Sequence, residues 1–251
     1  MMRLYCPGLP GSGNVQIGAE EFEYAKNVLR AKPGDKIALF DGKGREASGV
    51  IASISRKDLS VRIGETLDSR KEPALKILFL PAVLKGQKMD FVIQKATELG
   101  VARMRPLITG RTQVGETRKL ARWRKIAIEA ARQCGRSFVP EVDEPVSLSR
   151  YFTEDNFTEN MGAGMNGAGV LFWEGGGAGL KELFLSGRLK SSGAERISVA
   201  VGPEGGFSAE EVSLAAQKGF HTASLGPRIL RAETAAVLAV GLVQFLMGDM
   251  G

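Results

Sequence analysis

The chain has 251 residues, 43% hydrophobic and 25% charged, with a formal net charge of +6, which is enough for one large or two modest globular domains. Its longest apolar run, Ala235 to Met247, is broken by Gly241 and Gln244 and falls short of the roughly 20 residues a bilayer span needs. Two cysteines, Cys6 and Cys134, exclude a disulfide framework and point to a reducing, cytoplasmic setting. The opening MMRLYCPGLPGSG lacks an apolar h-region, so no secretory signal is expected.

The charge is uneven. Residues 1–72 carry 12 basic and 10 acidic side chains, residues 73–150 carry 15 and 7, and residues 151–251 carry 7 and 11. A basic middle third beside an acidic C-terminal third suggests a polyanion surface next to a separate small-ligand pocket. An unevenly charged solvated surface explains the same composition.

In chain order, residues 1–70 predict a small β-rich domain. AEEFEYAKNVLRAKPGD reads as one helix closed by Pro33-Gly34. IALFDGKG, EASGVIASIS and DLSVRIGE read as strands, with Asp41-Gly42 as a hairpin turn. Polar TLDSRKEP is a candidate linker.

From Leu75 strands alternate with helices. KILFLPAV is a buried strand, and KMDFVIQKATELG a helix that buries Met89, Val92, Ile93, Ala96 and Leu99 and stops at Gly100. ARMRPLIT is a strand, and Glu116 to Cys134 a long helix ended by Gly135. A short VPEV strand follows, then SLSRYF and the polar, Gly-rich insertion DNFTENMGAGMNGAG. Strand GVLFW, loop EGGGAG and helix LKELFLSGR lead into SVAVGPEGGFSAEEVSLAAQKGFHTASLGPRILRAETAAVLA (198–239). The alternation predicts a parallel sheet with helices on both faces. Ser208 and Glu211 form a capping-box pattern directly after GPEGGF.

Several motifs carry no chemistry. GAGMNG (162–167) matches G-x-G-x-x-G, but polar DNFTEN stands where a strand should precede it, so it reads as a loop. No Gly-Lys-Ser/Thr triplet occurs, which excludes a Walker P-loop. His221 is the only histidine; this excludes the usual zinc sites, and in a strand-like run without a G-x-S-x-G elbow it reads as structural. Cys134 sits among arginines that would activate a thiol, yet its place on the apolar helix face favours a packed cysteine.

Two patterns are more demanding. The apolar runs Ile197–Val201 and Phe220–Leu225 each end in Gly-Pro, giving Gly202-Pro-Glu-Gly-Gly206 and Leu225-Gly-Pro-Arg-Ile-Leu-Arg231. A strand that stops at glycine and hands over to a helix builds ligand sites at the carboxyl edge of open α/β sheets. Aliphatic Leu225, Ile229 and Leu230 suit a flat ring, such as adenine, rather than a triphosphate. A pair of structural turns explains either motif taken alone.

Together, VGPEGGFSxEE and LGPRILRAETA resemble the RsmE family of ribosomal RNA methyltransferases, of the SPOUT (α/β-knot) superfamily. LKGQKMDFVIQKATELGV (84–101), WRKIAIEAARQCGRSFVPEV (123–142) and VLRAKPGDKIALFDGKG (28–44) are similar to further blocks of that family, so the resemblance covers nearly the whole chain. Where members often carry histidine before the VLR block, this chain has Glu23 and Tyr24.

The resemblance implies an α/β fold in two parts: a PUA-like β-barrel RNA-binding domain over 1–70, and a methyltransferase domain over 74–250 whose C-terminal segment threads a trefoil knot. It implies a cytoplasmic homodimer that uses S-adenosylmethionine, and no metal, to methylate N3 of a uridine in 16S ribosomal RNA within the small subunit. By similarity, the cofactor loops are Leu171, Phe172 and Glu174; Val201, Gly202, Pro203, Glu204, Gly205 and Gly206; and Leu225, Gly226, Ile229, Leu230, Arg231, Thr234 and Ala235.

Uridine N3 is a weak nucleophile until its proton leaves and charge develops on O2 and O4. Arg132, Arg136 and Arg231 are the candidate cations for that charge. Glu129 and Glu233 are possible proton acceptors, although Glu233 also suits a helix start; the base is left unassigned. Arg3, Arg30, Lys85, Lys88, Arg105 and Arg111 are the expected RNA contacts, with Lys32, Arg132 and Arg136 beside them. A non-catalytic RNA-binding protein with a vestigial pocket, or a nucleotide-binding hydrolase, are the alternatives; the second would need a phosphate loop or a nucleophile–base pair.

Overall fold

Residues 36–40 are the simplest strand in the chain, with Ile37, Ala38, Leu39 and Phe40 all buried. A computed structural model describes residues 2–67, 72–113, 119–153, 168–189 and 196–251. The Gly-rich insertion up to Gly167, residues 68–71 of the TLDSRKEP linker and the start of the helix expected from Glu116 lie outside the described residues.

The chain divides into two compact units, residues 1–72 with 128–139, and residues 73–127 with 140–251. The first contains β1 (Met2–Tyr5), β2 (Asn14–Gly18), α1 (Ala19–Glu23), β3 (Lys36–Phe40), β4 (Glu46–Ile54) and β5 (Asp58–Leu67). They form a five-stranded sheet in the order β1-β3-β4-β5-β2. Pairs β3–β4, β4–β5 and β2–β5 are antiparallel, whereas β1 runs parallel to β3. The expected Asp-Gly turn closes β3–β4: Asp41 Oδ1 accepts the N–H of Lys43 at 2.7 Å and of Arg45 at 3.0 Å, and Gly42 has φ 76°. Leu4, Phe22, Leu39, Ile51, Leu59 and Val61 fill the core.

The helix expected over 19–35 is shorter and irregular. After α1 the chain makes one π-helical turn, Tyr24–Val28, and Arg30 then takes φ 53°. The strained left-handed residue ends the helix before Pro33 can.

Residues 128–139 join this unit although the sequence reading runs them on with the α/β part. Their side chains and backbone explain it: Arg132 pairs with Glu21, Arg136 with Glu72, and the Val139 N–H donates to the Gly42 carbonyl at 2.9 Å.

The second unit contains β6 (Lys76–Pro81), α2 (Lys88–Glu98), β7 (Arg103–Met104), β8 (Leu107–Ile108), and the first part of α3 (Leu120–Cys134). Then follow β9 (Glu141–Val142), β10 (Val146–Ser147), α4 (Leu148–Thr153), β11 (Ala168–Phe172), β12 (Ala178–Gly179) and α5 (Leu180–Leu185). The chain ends with β13 (Arg196–Val201), α6 (Ala209–Gln217), β14 (Phe220–Ser224) and α7 (Ala232–Met247).

Its seven-stranded sheet has the order β12-β14-β11-β13-β6-β7-β9, parallel throughout. The single strand expected from ARMRPLIT is two: β7 stays in this sheet and β8 pairs with β10 instead. Pro106, with no N–H to give a ladder, separates them. Leu80, Leu107, Phe152, Leu171, Phe207 and Phe220 pack in one cluster, and Phe152 meets Phe220 edge-on at 5.2 Å. Gln244 explains itself within apolar α7: it is fully buried and donates to the Leu99 carbonyl at 3.0 Å, at the C-terminus of α2.

Candidate active site

Strands β14, β11 and β13 are neighbours and parallel, so their carboxyl ends at Ser224, Phe172 and Val201 open on one edge. The loops that leave them line a single cavity of about 490 Å³. This is where an open parallel sheet offers backbone to a ligand.

Each loop is fixed by its own sequence. After β13, Gly206 takes φ 68° and its N–H donates to the Pro203 carbonyl at 2.9 Å. A Cβ at Gly206 would overlap the Glu174 carboxylate, so glycine here lets the two loops meet. The expected capping box then starts α6: Ser208 Oγ accepts the Glu211 N–H at 3.2 Å, and Glu211 Oε2 accepts the Ser208 N–H at 2.9 Å. The other oxygen of Glu211 accepts the Gly110 N–H at 2.8 Å, and the Arg111 guanidinium donates to the Gly205 carbonyl at 2.8 Å. After β14, Ser224 Oγ accepts the Gly226 N–H at 3.1 Å. Gly226 has φ 107°, and a Cβ there would meet no protein atom within 4 Å.

The walls suit a flat ring. Phe172, Val201, Leu225 and Leu230 line the cavity with Ile229, whose side chain is 88% exposed. A large aliphatic group left in water beside a glycine cradle has apolar surface to gain from a ligand. Charge is supplied by the carboxylates of Glu174 and Glu204 and by Lys88, Arg228 and Arg231. Lys88 Nζ lies 3.2 Å from Glu204 Oε1 and 3.4 Å from Glu233 Oε2. Burial alone would raise the Glu204 carboxyl, but backbone N–H groups and Lys88 hold it below the usual range. The same hydrogen bond to Glu204 raises the Lys88 ammonium. Glycine cradle, aliphatic walls and carboxylates fit an adenosine carrying a sulfonium.

Comparison with known proteins agrees with this geometry. Residues 70–244 match the RNA methyltransferase domain family and residues 17–64 the RNA methyltransferase PUA domain family. The ribosomal RNA small subunit methyltransferase E of Synechocystis sp. is 32% identical over 93% of this chain and 73% of its own length. That of Rickettsia conorii is 34% identical over 89% of this chain and 86% of its own. The chain belongs to the ribosomal RNA small subunit methyltransferase E family.

Two solved relatives have the same fold. The family member of Neisseria gonorrhoeae, solved bound to S-adenosyl methionine, superposes with a TM-score of 0.86 at 30% identity over the whole of both chains. A putative methyltransferase from Legionella pneumophila, solved with bound SAM, gives 0.87 at 34% identity over 99% of each chain.

Within this family member, most residues expected at the cofactor line the cavity, with two exceptions. Leu171 is 1% exposed and packs in the core, because successive strand side chains face opposite ways. Thr234 is exposed on α7. Lys88, expected at RNA, lines the cavity, as do Trp173, Ser224, Pro227, Arg228 and Ala232. Trp173 is fixed by its indole N–H, which donates to the Phe207 carbonyl at 3.2 Å.

Of the three candidate catalytic arginines, Arg231 alone lines this cavity. It is exposed and stands at the N-cap position of α7, where its side chain makes no capping hydrogen bond. Arg136 is 4% exposed and forked onto Glu72 at 2.7 and 3.1 Å. Arg132 pairs with Glu21 and lies over the Tyr24 ring at 4.2 Å.

Among the expected RNA contacts, Arg3 pairs with Glu46 at 3.0 Å and Arg105 with Asp143 at 3.2 Å. Arg30, Lys32, Lys85 and Arg111 are exposed. Glu129 is exposed, whereas Glu233 has a buried Oε2 beside Lys88. Cys134 is half-buried with its thiol 3.7 Å from the Ala131 carbonyl, and His221 is half-buried within β14.

Proposed function

We propose that this protein transfers a methyl group from S-adenosylmethionine to N3 of a uridine in 16S ribosomal RNA of the small subunit. The observation that carries the reading is the cavity itself: three loops at the carboxyl ends of adjacent parallel strands, with glycines at the approach and aliphatic walls. Its family gives the reaction class.

S-adenosylmethionine supplies an electrophilic methyl on a sulfonium. The chain's residues have the remaining tasks. Leu225, Ile229 and Leu230 clasp the ring and exclude water, and the loop 201–206 offers backbone groups. Glu174 and Glu204 place negative charge near a cationic ligand. Arg231, exposed at the cavity, is the residue we assign to the charge that develops on uracil O2 and O4 as N3 loses its proton. Exposed Arg30, Lys32 and Lys85 are placed to meet phosphates, and Arg111 adds charge beside the Gly205 carbonyl that it bonds; the uridine has to leave its stack to present N3.

The same reading includes a PUA-like RNA-binding role for residues 1–70 and a SPOUT methyltransferase domain over 74–250. It also includes a C-terminal trefoil knot, a homodimer and work in the cytoplasm on the small subunit. Exposed Phe91, Leu238 and Phe245 give a dimer apolar surface to cover, and both cysteines are free, as a reducing compartment keeps them.

Isothermal calorimetry with S-adenosylmethionine tests the pocket. Saturable binding at one site per chain is expected; no binding at millimolar cofactor would overturn the reading.

A further inference from the structure

The first unit holds a second cavity, of about 620 Å³, whose lining includes Arg3, Tyr24, Glu46, Glu129, Arg132 and Cys134. Its size is within the range of about 300–1,000 Å³ typical of small-ligand sites.

Two features mark it as built for a ligand. The first is a pair of unanswered donors. Arg132 has a side chain only 9% exposed; its terminal nitrogen is taken by Glu21, yet its Nε is buried with no acceptor among the described residues. Arg3 repeats the pattern: one terminal nitrogen serves Glu46 at 3.0 Å and the Arg136 carbonyl at 3.1 Å, while its buried Nε has none. Buried donors without acceptors are rare because each forfeits its hydration. The second is a planar wall. The Arg132 guanidinium covers the half-buried Tyr24 ring at 4.2 Å, and such stacked planes are what unpaired RNA bases settle on.

Charge decides the kind of ligand. The arginines Arg3 and Arg132 are matched by the carboxylates Glu46 and Glu129 along the lining, so the cavity offers no net attraction to phosphate. It asks for a neutral planar ring with two acceptors. Uracil presents O2 and O4 on either side of N3–H: two carbonyls for the Arg3 and Arg132 guanidinium groups that line the cavity, and one N–H for the exposed carboxylate of Glu129. Adenine has no carbonyl and cytosine has one.

We infer that this cavity is a recognition pocket for an unpaired uracil base of the RNA. The proposal rests on the RNA methyltransferase reading for its partner, but its test does not need methyl transfer. Tyr24 is a positioning and stacking residue here.

The test is fluorescence anisotropy of the full-length chain with labelled oligouridylate, oligoadenylate and oligo(3-methyluridylate) at fixed salt. Uridylate should bind about tenfold tighter than the other two. Tyr24→Ala should bring it down to the adenylate level, and Tyr24→Phe should retain the preference. Glu129→Gln, at an exposed position that leaves folding intact, should weaken the preference for uridylate over 3-methyluridylate. Equal binding of uridylate and adenylate, or an unchanged preference in folded Tyr24→Ala, would overturn the proposal. Cofactor calorimetry on the same preparation separates the two readings: loss of cofactor binding with the uridylate preference retained removes the enzyme and keeps the pocket.

Discussion

Lys88 Nζ lies 3.2 Å from Glu204 Oε1 and ties the start of α2 to the loop that follows β13. Its second partner, Glu233 Oε2 at 3.4 Å, belongs to the first turn of α7. One ammonium thus joins two of the three segments that form the cofactor cavity. Lys88→Met should weaken S-adenosylmethionine binding by about threefold to tenfold, an exposed pair being individually weak. Calorimetry on the variant checks it, and unchanged affinity would reduce the bridge to surface decoration.

The Glu204 carboxyl, held low by backbone N–H groups and Lys88 against its burial, gives a pH signature. A lowered folded pKa means stability that is present above the unfolded value, about 4.3 for glutamate, and lost as pH falls below it. The thermal advantage of the wild type over Glu204→Gln should therefore be constant from pH 7 to about 5 and shrink only below about 4.3. Thermal melts across that range decide it; a difference that fades between pH 7 and 5 would contradict the assignment.

How much of this was legible in the sequence depends on how local each signal is. The Asp41-Gly42 turn, the Ser208–Glu211 capping box and the two Gly-Pro strand ends are fixed by neighbours along the chain, and all appear as expected. The positions of Lys88 and Arg136 are set by carboxylates far away in sequence, Glu204 and Glu72, so a count of basic residues could only assign them to RNA or catalysis. Pro106 was visible, yet the break it makes between β7 and β8 needs the partner strand β10 to be seen. The π-helical turn at Tyr24 follows apolar spacing that an α-helix would share.

Gly206→Ala tests the cradle. At φ 68° a side chain is strained by about 1–2 kcal/mol, and the added carbon displaces Glu174. Cofactor affinity should fall about tenfold, with a small drop in melting temperature. Full affinity would show that the Glu174–Gly206 approach is not used.

Arg231→Ala separates chemistry from folding. A cation at the N-terminus of α7 opposes the helix dipole, so its removal should leave the melting temperature unchanged or slightly higher. Methyl transfer should nevertheless fall roughly a hundredfold if it stabilises developing charge. Single-turnover rates and melts on one preparation read both, and normal turnover removes it from the site.

Arg136→Met should behave in the opposite way. The guanidinium is 4% exposed and forked onto Glu72, so breaking the pair costs about 3–5 kcal/mol. Chemical denaturation should show that loss; an unchanged midpoint would free Arg136 for a catalytic role.

Small ribosomal subunits lacking the modification are incubated with the protein and S-adenosylmethionine labelled in its methyl group, and the labelled nucleotide is mapped. Label is expected at N3 of one uridine in 16S ribosomal RNA. No transfer by protein that binds the cofactor, or label on another base, would contradict the proposed function.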